Sequence, residues 1–163
     1  MSERIEKQRG PARGSSVIDR FRRACSLREM CSYDLIIKMD RLGLDLNEQS
    51  RILEILKEEK FLDEERYARA FVRDKSALDG WGSNKIKFAL RNKRISNETI
   101  SLAIGEIVSE DEERRLNKLL LIKAKSIKSE DSKIKNLNKL VRFAISRGFD
   151  YGLSLKVAKE IIG

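Results

Sequence analysis

One pattern of helical signals comes round three times in this chain, and the repetition constrains the fold more than any other feature. In the first copy Ser32 opens a helix with Leu35, Ile36 and Met39 on one side. It stops near Gly43, Leu44 follows, and Asp45 then caps a helix that carries Ile52, Leu53 and Leu56. Glu48, three residues past Asp45, completes a capping box. In the second copy Ser83 starts a helix with Ile86, Ala89 and Leu90, which ends at Lys93-Arg94. Ile95 then precedes Ser96, the cap of a helix with Ile100, Ala103, Ile104 and Ile107. In the third, Ile134, Leu137, Leu140, Val141 and Ala144 lead to Arg147-Gly148, after which Phe149 and Asp150 open a helix with Leu153, Val157 and Ile161. Leu44, Ile95 and Phe149 thus stand at equivalent corners.

Each copy also has a leading helix, expected at about Val17 to Glu29, Glu64 to Ala77 and Glu110 to Ser126. A unit of roughly 45 residues is close to the size below which domains seldom stand alone, so neighbours are expected to share cores. The fold class expected is all-α, with three tandem three-helix repeats forming an elongated, curved array. The repeats are placed at residues 17–61, 62–108 and 109–163. Residues 1–16 read as a flexible basic arm, because Gly10-Pro11, Gly14 and Ser15-Ser16 interrupt helix signals there.

Composition narrows the chemistry. Hydrophobic residues are 40% of the chain and charged residues 37%, so buried stripes coexist with large solvated faces. The chain has no His, which removes imidazole general-base catalysis and the usual ligands of a structural zinc site. Cys25 and Cys31 are too few for a disulfide framework and read as ordinary helical residues. Asp63, Glu64 and Glu65 point in different directions on a helix and read as helix-start electrostatics, not as an acid/base cluster. No catalytic residue, cofactor or metal is therefore expected, and the chain is not read as an enzyme. No stretch approaches the ~20 apolar residues of a membrane helix and the N-terminus lacks a secretion-signal core, so a cytoplasmic location is expected.

The net charge of +9 is uneven. Residues 31–78 are acidic on balance, whereas both ends are basic. From Arg114 to Arg147 eleven Lys or Arg face only Glu130 and Asp131. Lys85, Lys87, Arg91, Lys93 and Arg94 fall in a short segment with no acid. Such patches attract phosphates or an acidic protein surface. Lys85, Lys87, Arg91 and Arg94, with Arg69 and Arg73 on the preceding helix, are the candidate partner- or DNA-binding residues. Phe88 lies about 200° around the helix from Ile86, off the buried stripe, and joins them as a candidate contact. Trp81, between two glycines, is expected to pack over the junction of two helices of its unit.

The least generic stretch runs Phe61-Leu62-Asp63-Glu64-Glu65-Arg66-Tyr67-Ala68-Arg69-Ala70-Phe71-Val72. Asp63 reads as an N-cap, Leu62 as a staple onto Tyr67, and Tyr67, Phe71 and Val72 as a buried stripe. Followed by Gly80-Trp81-Gly82, Lys85-Ile86 and Leu90, this segment resembles the core signature of the RecX family of recombination regulators. Arg147-Gly148-Phe149 resembles a second family marker, and the resemblance covers about residues 17–163. Two positions depart from it. Lys60 stands where such proteins often have Gly before the aromatic, and Arg94 where Gly commonly ends the second helix of the middle unit.

The resemblance implies a protein of DNA repair and recombination that binds a RecA recombinase filament on single-stranded DNA and inhibits RecA. A monomer is expected, with room for weak direct DNA binding. A second reading keeps the helical units and drops the recombinase: a DNA-binding protein of helix-turn-helix type that acts without RecA.

Overall fold

In the computed structural model the described residues are 12–106, 109–127 and 132–163. They form α1 (Ala12–Leu27), α2 (Ser32–Arg41), α3 (Leu46–Glu58), α4 (Glu64–Ala77), α5 (Ser83–Asn92), α6 (Asn97–Gly105), α7 (Ser109–Lys125), α8 (Lys133–Ser146) and α9 (Tyr151–Ile162). The architecture is all-α, a three-helix unit repeated.

The corner read from sequence is the device that folds each repeat. At the end of α8 the N–H of Phe149 donates to Ala144 O and that of Gly148 to Ile145 O, a Schellman motif in which Gly148 takes φ +92°. After α2, Leu44 N–H donates to Met39 O and Gly43 N–H to Asp40 O, with Gly43 at φ +71°. After α5, Ile95 N–H donates to Leu90 O and Arg94 N–H to Arg91 O. The apolar residue that follows each turn is pulled inward, with Ile95 and Phe149 buried and Leu44 half-buried. The next residue then caps the third helix. Asp45, Ser96 and Asp150 accept from the N–H groups of Glu48, Thr99 and Leu153, and Glu48 answers Asp45 to close the capping box.

Lys60 and Arg94 occupy the left-handed turn positions at φ 60° and 58°. They are the two departures noted in the sequence, and a side chain there costs about 1 kcal/mol that glycine avoids. Arg94→Gly and Lys60→Gly are each expected to raise stability by about 0.5 kcal/mol, the gain being partly offset by the freer unfolded chain. Urea unfolding of the single variants checks this, and a lower midpoint would contradict it.

The chain divides between Asp63 and Glu64 into two compact units. In the first, Phe21, Cys25, Met30, Leu35, Met39, Ile52, Leu56 and Leu62 make one core. Gln49 is buried there and donates from Nε2 to Asp40 Oδ1 (2.7 Å) and Leu44 O (2.9 Å), tying α3 to the end of α2. Arg22 forks onto Glu59, with both nitrogens 2.7 Å from its oxygens, and this hydrogen bonding holds the Glu59 carboxyl below its ordinary range. In the second unit the middle repeat buries Tyr67, Ala68, Val72, Ile86, Leu90, Ile95, Ile100 and Ala103. The last repeat buries Leu116, Leu120, Leu140, Val141, Ala144, Phe149, Val157 and Ala158 in one cluster.

Three sequence expectations need correction. The leading helix of the first repeat starts at Ala12, not Val17, so Gly14 and Ser15-Ser16 lie within α1. One helical glycine costs about 1 kcal/mol, which a helix anchored by buried Phe21 and Cys25 absorbs. Only residues 1–11 of the expected arm lie outside the described residues. Cys31 is buried but not helical, since it stands at the N-cap of α2 in an extended conformation. Leu62, expected to open the second repeat, packs in the core of the first.

Candidate functional site

The second unit is built around a joint between its two repeats. The first turn of α5 has backbone donors without intrahelical partners, and Gly82 as N-cap offers no side chain to meet them. The third repeat meets them instead. Gly82 N–H donates to Arg147 O (2.8 Å) and Asn84 N–H to Gly148 O (3.0 Å). Glu112 Oε1, on α7, accepts from Ser83 N–H (2.8 Å) and from Ser83 Oγ (2.7 Å), placing a carboxylate at the positive end of α5. The backbones approach so closely that a Cβ on Gly82 would sit 2.5 Å from the carbonyl carbon of Gly148. One on Gly148 would sit 2.6 Å from the Lys85 backbone nitrogen. Arg147 closes the joint by donating from Nη2 to Asp79 O beside Gly80, whose φ is +62°.

Trp81 covers the same place. Its ring meets Phe71 of α4 edge-on at 6.4 Å, and the Nζ of Lys75 and of Lys85 lie 4.9 and 4.6 Å from its centroid. Phe71 in turn packs on Tyr67 at 6.0 Å. Trp81 therefore bridges α4 and α5, as its flanking glycines suggest.

The signature residues fall into cores and joint. Phe61 and Leu62 pack in the first core, while Tyr67, Ala68, Val72, Ile86 and Leu90 are buried in the second unit. Asp63 directly precedes α4 and Arg66 is half-buried on it. Gly80, Arg147, Gly148 and Phe149 belong to the joint. Two segments that are about 65 residues apart in sequence, Gly80-Trp81-Gly82 and Arg147-Gly148-Phe149, are thus halves of one contact.

The candidate contact residues separate into two places. On α5, Ile86 and Leu90 are fully buried, whereas Phe88 on the opposite side is 65% exposed. Arg91 beside it is exposed and donates from Nε to Asn97 Oδ1 (3.1 Å), which holds its guanidinium over the start of α6. Lys87 is half-buried, and Arg94 is exposed in the following turn. Lys85 is turned to the joint, its ammonium on Trp81.

Arg69 and Arg73 lie elsewhere, in a cleft of about 560 Å³ between α4, the end of α6 and α7. Arg69 Nε is 2.7 Å from Glu106 Oε1, and Arg73 is exposed. The far wall is Arg114, Arg115 and Lys118, which the sequence offers only as part of a long basic run. A second ion pair, Lys156 with Glu113 at 2.8 Å, ties α9 to α7, and that hydrogen bond holds the lysine above its ordinary range.

Against this geometry the likeness to known proteins is direct. Residues 63–104, the middle repeat with Tyr67 to Leu90, match the family model for the second three-helix domain of RecX. Regulatory protein RecX of Clostridium botulinum strain Eklund 17B is 37% identical over 126 residues, which cover 77% of this chain and 58% of that protein. The chain is thus similar to RecX proteins over 77% of its length. Regulatory protein RecX of Clostridium perfringens strain 13 is 33% identical over 125 residues, again 76% of this chain and 58% of the relative. The matched part of the chain thus spans well under two thirds of the length of these RecX proteins. Among solved structures, the crystal structure of RecX from Lactobacillus salivarius has a TM-score of 0.77 at 20% identity, covering 90% of this chain and 97% of that one. Another RecX crystal structure has a TM-score of 0.80 at 19% identity, covering 90% of this chain and 71% of its own. Both share the fold of this chain. Among its described residues no helix is long and apolar enough to cross a membrane.

Proposed function

We propose that this chain binds the RecA filament assembled on single-stranded DNA and restrains RecA recombinase and ATPase activity. It works by occupying a surface and makes or breaks no bond, a reading supported by a sequence without His, which removes imidazole general-base catalysis. It acts in the cytoplasm as a monomer, with filament DNA as part of the target.

The observation that carries the reading is Phe88, exposed between Lys87 and Arg91 on a helix whose other side is locked into the core of the repeat that matches the second RecX domain. Acidic partner surfaces are drawn to such cations, and the aromatic supplies the apolar anchor.

The test is RecA-driven ATP hydrolysis and strand exchange with the chain added in excess. Inhibition of both is expected. Unchanged rates, together with sequence-specific duplex binding in the absence of RecA, would replace this reading with the helix-turn-helix one.

A further inference from the structure

The cleft between α4 and α7 has more positive charge than its own carboxylates answer. Arg69 and Arg73 of α4 face Arg114, Arg115 and Lys118 of α7, and only Glu106 and Asp111 among its lining residues are acidic. Arg69 engages Glu106 at 2.7 Å and Glu65 at 3.5 Å, Arg73 lies 3.8 Å from Asp74, and Arg114 lies 3.4 Å from Asp111. That leaves Arg115 and Lys118 without an ion pair among the described residues. Arg115 Nε and Nη2 are shut off from solvent with no hydrogen-bond partner among the described residues. A guanidinium edge desolvated without a partner is a cost, and it is relieved when the side chain turns that edge out to an anion in the cleft.

The anion fits a particular class. Guanidinium groups take planar carboxylate and tetrahedral phosphate alike, so charge and extent decide. A single carboxylate would leave the excess of cations standing. A second depression of about 400 Å³ adjoins the first along α7; Arg114 and Lys118 line both, and the second is also lined by Asn117 and by Glu113, whose carboxylate is held by Lys156 at 2.8 Å. Arg114 and Lys118 are four apart on the helix, about 6 Å along its axis, close to the spacing of successive backbone phosphates. The arrangement takes a run of phosphates better than one isolated ion.

We propose that this cleft is a phosphate-binding site that holds consecutive backbone phosphates of single-stranded nucleic acid, with Arg115 and Lys118 as its central donors. The choice of nucleic acid as the source rests on the filament reading above, whereas the cleft itself stands on its own lining.

The test uses the full chain and a fluorescently labelled oligo-dT, with no RecA present, so that its failure leaves the recombinase reading untouched. Anisotropy titrations across a salt series compare the wild type, Arg115→Gln/Lys118→Gln, and Arg142→Gln on the exposed side of α8 as a control. The double variant is expected to bind about tenfold more weakly and to lose about 1.4 from the slope of log K on log salt, roughly 0.7 for each cation removed. The wild type's Arg115 Nε–H NMR signal is expected to shift on adding the oligonucleotide. Affinity and slope equal to those of the control variant overturn the proposal. So does an Nε–H signal that answers to inorganic phosphate or to a poly-glutamate peptide at matched ionic strength but not to the oligonucleotide. Thermal unfolding of the double variant checks that the unit is intact, and an Arg115→Lys variant that keeps the charge covers the case in which it is not.

Discussion

Gly148→Ala is expected to destabilise the second unit by about 3 kcal/mol or more, the largest stability effect of any single methyl group added here. Two costs coincide at that residue. Its φ of +92° is a conformation L side chains rarely adopt, and the new Cβ would meet the backbone of Lys85 at 2.6 Å. Neither can relax cheaply, because Gly148 O and Arg147 O are already committed to the first turn of α5. The repeats would have to separate, and the α5 donors would lose their partners. Urea unfolding measures this, with Gly105→Ala as control, since a Cβ at Gly105 meets nothing within 4 Å. A Gly148→Ala loss under about 1 kcal/mol would mean that the joint is looser than its hydrogen bonds imply.

The second large effect is functional. Replacing Phe88 by Ala together with Lys87→Glu and Arg91→Glu is expected to weaken inhibition of RecA by at least about thirtyfold, the counterpart of losing one contact hot spot of about 2 kcal/mol. Stability should change little, because Phe88 and Arg91 are exposed and the buried side of α5 is untouched. Circular dichroism of the variant together with its dose-response against RecA ATPase separates the two quantities. A folded variant with wild-type potency would remove α5 from the contact.

What the sequence makes legible is what local chemistry dictates. The corners at Leu44, Ile95 and Phe149 and the caps at Asp45, Ser96 and Asp150 each depend on residues within six positions, and all six stand where the repeat pattern puts them. Even the departures are informative, since Lys60 and Arg94 keep the left-handed turn that glycine would favour. The exposure of Phe88 follows from helical geometry alone. Less legible is whatever depends on distant partners. Nothing near Ser83 says that Glu112, 29 residues on, will meet it, or that Gly82 and Gly148 will touch. The grouping of Arg69 and Arg73 with α7, away from the α5 cations, likewise follows from packing and not from spacing. The early start of α1 shows tertiary burial overriding helix-breaking signals at Gly14 to Ser16.

The most direct test watches the target itself. Preformed RecA filaments on single-stranded DNA, mixed with the purified chain and followed by electron microscopy, are expected to shorten with increasing dose. Filaments that keep their length at saturating chain, and bear none of it along their course, would contradict the account.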